Sequence, residues 1–86
     1  MKVVIRISWK TGEDEYYGYS DEIEWDYPIP NRGDLIYVCP EAFKMNYDSE
    51  KSERAINDNL FPFKENIYRL DLGVMEFLFG ESDEDE

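Results

Sequence analysis

Residues 3–9, Val-Val-Ile-Arg-Ile-Ser-Trp, place Val3, Ile5, Ile7 and Trp9 at every second position. A period of two puts these side chains on one face of a pleated strand, a geometry that β-branched and aromatic residues favour. A helix cannot gather such a set on one side, because its neighbours recur every three or four residues. The fold must therefore be built on a sheet, with this segment as one of its buried strands.

The following residues extend the pattern. Lys10-Thr11-Gly12-Glu13-Asp14 supplies a turn with a glycine for positive φ, and Glu15–Tyr19 reads as the return strand. Gly18 within it marks a bulge or a close backbone approach. Ile23–Tyr27 alternates as a third extended segment, Pro28–Gly33 breaks into a loop, and Asp34–Cys39 is a strand that Pro40 stops. Ser49, with Ser52 and Glu53 behind it, caps a short helix at about 50–58, the alternative being a long connection with one helical turn.

Residues 66–79 return to strand character, but the apolar set changes parity at Gly73, from Tyr68, Leu70, Leu72 and Val74 to Met75, Phe77 and Phe79. Either a bulge bends one long strand or Asp71-Leu72-Gly73 is a tight turn. The expectation is a mainly β fold: a small antiparallel sheet of about five strands, curled or barrel-like, with one short helix. A two-layer α+β arrangement is the alternative. Residues 1–80 form a single small domain, and the acidic run 81–86 is expected to be a disordered tail.

The stretch Pro30-Asn31-Arg32-Gly33-Asp34-Leu35-Ile36-Tyr37-Val38 resembles the opening strand of SH3-like barrels, including toxin ribonucleases of the MazF/PemK type. The likeness is confined to these residues and implies a small barrel. It carries no catalytic residue over.

Composition sets the function classes aside one by one. Of 86 residues, 21 are Asp or Glu and 9 are Lys or Arg, for a net charge of -12, with no His and one Cys. One cysteine cannot close an internal disulfide, and a structural zinc site or an iron–sulfur cluster needs more Cys and His ligands than this chain has; nor is a haem expected in a chain with no His. No cofactor and no metal is expected. No apolar run approaches a membrane span, and Arg6 interrupts the N-terminal apolar segment, which argues against a signal peptide. The reading is a cytoplasmic protein. Its field repels phosphate, so direct binding to nucleic acid or an anionic membrane is not expected.

The densest feature is residues 13–27, with seven acids, no base and five aromatics. On a strand Glu22, Glu24 and Asp26 would line up about 7 Å apart, close to the phosphate spacing along one nucleic-acid strand, roughly 6–7 Å. The plainer reading makes them the solvent side of a strand whose Ile23, Trp25 and Tyr27 face the core. Paired carboxylates also serve glycoside hydrolysis, but a core this thin offers little cleft, and no histidine is present as a base. The chain is read as no enzyme, with Cys39 a buried structural thiol. The expected function is a small acidic interaction protein that binds a basic protein surface, in its sharpest form a nucleic-acid-mimicking inhibitor. Its contacts would be Glu13, Asp14, Glu15, Asp21, Glu22, Glu24 and Asp26, with Tyr16, Tyr17 and Tyr19 as anchors. The alternative is an assembly subunit that self-associates through Val74–Phe79, which is apolar on both parities and must be fully buried or paired with a second copy.

Overall fold

The structure is a computed structural model that describes residues 1–56 and 59–80. Seven strands appear in it: β1 (Lys2–Thr11), β2 (Asp14–Tyr19), β3 (Ile23–Glu24), β4 (Leu35–Tyr37), β5 (Lys44–Met45), β6 (Leu60–Arg69) and β7 (Val74–Gly80). A 3₁₀ turn (Pro40–Ala42) precedes β5, and a short helix α1 (Ser49–Ala55) follows it. The chain is mainly β, as its alternation requires.

The sheet runs β4-β6-β7-β1-β2-β5, and β3 lies on the same edge of β1 as β2. Two antiparallel hairpins, β1–β2 and β6–β7, meet along a seam where β1 and β7 run parallel, from Val3 opposite Met75 to Ser8 opposite Gly80. This corrects the expected topology in two respects. The sheet is mixed rather than antiparallel, and it is open: β4 and β5 stand at opposite ends and do not close a barrel. The parallel seam explains the apolar run of Val74–Phe79. β7 is paired on both sides and buried on both faces, so both parities are apolar.

Gly73 belongs to a turn. Leu70–Gly73 reverses the chain, the Leu72 and Gly73 amides donate to the Arg69 carbonyl, and Gly73 takes φ of 70°. The helix is capped one residue earlier than the sequence suggested. Asp48 Oδ1 accepts from the Lys51 amide at 2.7 Å, and α1 ends at Ala55. Residues 57–58 at the end of the expected helix lie outside the described residues, as does the expected tail 81–86.

One face of the sheet carries the core. Val3, Ile5, Ile7 and Trp9 of β1 join Met75, Phe77 and Phe79 of β7 and Phe61 and Phe63 of β6, under Val38, Ile56 and the partly buried Trp25, Ile36 and Phe43. Phe77 lies at the centre, edge-on to Trp25 and Phe63 at ring separations of 5.1 and 5.8 Å. Trp9 stacks on Tyr16 at 4.9 Å. Cys39, expected to be buried, is exposed. β4 stops at Tyr37, buried Val38 takes the core position, and Cys39 as the next residue turns outward where the 3₁₀ turn begins.

Two substitutions test this packing in opposite directions. Phe77→Ala should cost about 3–5 kcal/mol, most of the stability of a small domain. Ser52 is fully buried on α1 and its hydroxyl has no hydrogen-bond partner among the described residues. Ser52→Ala should therefore raise stability by about 1–2 kcal/mol, by removing an unsatisfied polar atom and improving helix propensity. Urea denaturation measures both.

Candidate functional site

The acidic and aromatic segment 13–27 lies along one edge of β1, first as β2 and then as β3. In β2 the odd residues Glu15, Tyr17 and Tyr19 project from the open face of the sheet, and the even residues face the core. Tyr16 is thus a core residue, only 3% exposed and stacked on Trp9, and is not the contact anchor expected of it. Tyr17 and Tyr19 do stand out, 57% and 43% exposed.

The backbone beneath them is held firmly. Asn46 clamps the outer edge of β2: its Oδ1 accepts from the Tyr17 amide at 2.9 Å, its amide donates to the Tyr17 carbonyl, and its Nδ2 donates to the Glu15 carbonyl. Gly18 is glycine because β5 crosses it closely; a Cβ there would run into Met45 Sδ and sit 3.0 Å from the Lys44 carbonyl oxygen. The close approach read from the sequence is present. Arg6 and Lys44 each lie 5.9 Å from the Tyr19 ring centre. A shallow groove of about 280 Å³ runs beside the tyrosines, over Ser8 and Leu78, with Arg6 and Lys64 on its walls.

After β2 the pairing slips by one residue. Tyr19 lies opposite Arg6, but Ile23 lies opposite Val3, so the chain fits one residue more than β1 offers. Ser20 fills the gap: its amide donates to the Ile5 carbonyl, and its Oγ accepts from the Ile5 amide at 2.9 Å. The slip reverses the parity, so Trp25 can turn inward onto Phe77 while Asp21, Glu22 and Glu24 stay exposed.

The carboxylates do not form the regular row that a strand over 22–26 would give. β3 is only Ile23–Glu24, and Tyr27 is exposed instead of facing the core. Glu24 is bound by the N-terminal amine at 2.6 Å, and that hydrogen bond holds its carboxyl below the ordinary value of 4.5. Asp14 sits 3.7 Å from Lys51 and accepts from the Tyr47 hydroxyl, and Asp21 is 4.0 Å from Lys44. Glu13, Glu15, Glu22 and Asp26 are exposed and have no ion pair among the described residues. No group of three acids or cysteines converges closely enough to hold a metal ion among those residues. The geometry is that of an extended exposed surface on which Tyr17, Tyr19 and Tyr27 stand among separated carboxylates.

A second ionic feature went unread in the sequence. Glu76, 6% exposed, lies between Val4 of β1 and Ile67 of β6 in the ladder. Arg6 Nε reaches its Oε1 at 2.9 Å, and Arg69 Nη1 reaches its Oε2 at 3.0 Å. Arg69 also forks onto Asp71 at 3.1 and 3.3 Å, tying the β6–β7 turn to the sheet. The one signal was an acid in the middle of an apolar run.

The Arg69 hydrogen bond holds the Asp71 carboxyl below its ordinary 3.8. A lowered folded value means that Asp71 adds stability in full above the ordinary value, and that this is lost as pH falls through the lower folded one. An NMR titration should give Asp71 a midpoint below 3.8, and Arg69→Gln should move it upward. A midpoint unchanged by that variant would show that the fork does not persist in solution. Comparison with known protein families, curated proteins and solved structures finds no match to this chain.

Proposed function

We propose that this is a non-catalytic interaction protein that binds a basic protein surface through the exposed rim of β2 and the acidic segment after it. The observation that carries the reading is the pair Tyr17 and Tyr19, exposed on a strand whose backbone is clamped on both sides. Rigid aromatic side chains bury contact area at low entropic cost, which is why tyrosine is enriched among binding hot spots. The free carboxylates Glu13, Glu15, Glu22 and Asp26 around them would steer a basic partner and fix its orientation. The contact set is thus narrower than the sequence suggested. Tyr16 is in the core, and Glu24 and Asp14 are held by groups of this chain. The nucleic-acid-mimicking form has no straight carboxylate row to rest on. The net charge of -12 favours a cationic protein over phosphate as the partner, and a single thiol suits a reducing, cytoplasmic setting.

The test begins with capture of binding proteins at two salt concentrations and continues with the purified partner. Replacing Tyr17 and Tyr19 together by Ala should weaken binding by about 30-fold or more. Replacing Glu13, Glu15 and Glu22 by Gln and Asp26 by Asn should slow association and flatten the salt dependence. A captured protein that is not basic, or an affinity that both variants leave unchanged, would sink the proposal.

A further inference from the structure

The two ends of the sheet are finished differently. On the β2 side, β5 is only two residues long and Asn46 occupies the hydrogen-bonding groups next to it. On the other side β4 covers β6 only at Leu60–Pro62, with Gly33 and Asp34 continuing the contact to Phe63. From Lys64 to Arg69 no strand lies against the outer edge of β6 among the described residues. An edge of this length, bearing a half-exposed Ile67 and a 69% exposed Tyr68, is a ready template for another strand.

We propose that this edge pairs antiparallel with the same edge of a second copy, on a two-fold axis at Ile67, to form one continuous sheet. Symmetry restricts the register severely. A two-fold axis perpendicular to the sheet keeps each residue on its own face, so a residue can pair only with one of the same parity. Three centres are then open near the middle of the edge. An axis at Asn66 sets Glu65 against Ile67. One at Tyr68 sets Glu65 against Asp71, like charge on like. Only the axis at Ile67 sets Glu65 against Arg69 twice over, places the two isoleucines face to face, and pairs Asn66 with Tyr68. Glu65 has no ion pair within its own chain among the described residues and is free to meet Arg69 of a partner copy.

The charge of the whole chain predicts how this contact responds to salt. Two copies at -12 repel each other, so screening should strengthen the pairing. Binding of a basic partner at β2 responds in the opposite sense. The two surfaces lie toward opposite edges of the sheet, so either proposal can fail without the other.

Sedimentation velocity on the full chain, over a concentration series at about 50 and 500 mM NaCl, is the test. The expected result is a monomer–dimer equilibrium that tightens with salt, as suits a small edge contact. Ile67→Lys, which brings two cations together on the axis, and Glu65→Arg, which faces Arg69 with its own charge, should each leave the chain monomeric with an unchanged circular dichroism spectrum. A third variant does not depend on either of these folding. On a Cys39→Ser background, Ile67→Cys should form an intermolecular disulfide under mild oxidation, and Lys10→Cys should not. A monomer at every concentration and salt would overturn the proposal. So would a dimer indifferent to both charge variants, or equal cross-linking at positions 67 and 10.

Discussion

The parallel pairing of β7 with β1 is the constraint from which the rest of the architecture follows. Each hairpin alone is a two-stranded ribbon of marginal stability. Joined at this seam, they set Met75, Phe77 and Phe79 beside Val3, Ile5 and Ile7 and make a single apolar surface wide enough to need a cover. The chain from Trp25 to Ala55 provides that cover with a loop, a 3₁₀ turn and a two-turn helix instead of a second sheet. A parallel seam demands a long crossover, and the covering segment is that crossover. One stretch of chain thus closes the core and satisfies the topology.

The seam also accounts for the open face of the sheet. β7 as an inner strand carries a carboxylate, Glu76, on the face away from the core, and the guanidinium groups of Arg6 and Arg69 reach it from the strands on either hand. Two of the nine basic residues are spent there, and Lys44, Lys51 and Arg54 sit near acids of their own chain. The acids are in large excess, so the unpaired charge left on the surface is mostly negative. That excess keeps an open sheet with exposed tyrosines from associating indiscriminately. It also makes opposite charge the cheapest signal by which a partner could be recognised.

Local pattern was legible in the sequence wherever one strand buries one face. β1 could be read from Val3, Ile5, Ile7 and Trp9, and β2 and its turn from Gly12 and the tyrosines. The need for a reversal or bulge near Gly73 followed from the change of parity. What escaped were properties that belong to pairs of segments. Nothing in Val74–Phe79 states that its neighbour is β1 or that the two run in the same direction. The same apolar run would suit an inner strand or a dimer seam. The parity flip between Ser20 and Ile23 depends on a serine side chain standing in for a ladder partner, which no alternation count detects. Tyr16 shows the same limit at the site: beside Tyr17 in composition and identical in type, it is assigned to the core only by the strand's parity. Asn46 and Ser20, the residues that stiffen the rim, act through backbone hydrogen bonds with segments far away in sequence.

Edges decide what a sheet this size can do. A barrel would have removed them, and the resemblance of residues 30–38 to a barrel strand led in that direction; the open sheet keeps two. The chain treats them unequally. Beyond β2 it places a two-residue strand and an asparagine that takes up the exposed backbone groups, so this end is shut to strand addition and presents side chains instead. Beyond β6 it protects the first half with β4, and no strand covers the second half among the described residues. Recognition by side chains is sensitive to the partner's charge, whereas recognition by a backbone edge is sensitive to register. On the β6 edge Glu65 and Arg69 are spaced symmetrically about Ile67, and on the proposed pairing that spacing favours its own copy over an arbitrary strand. If both proposals hold, screening drives the two surfaces in opposite directions, and ionic strength sets the balance between them.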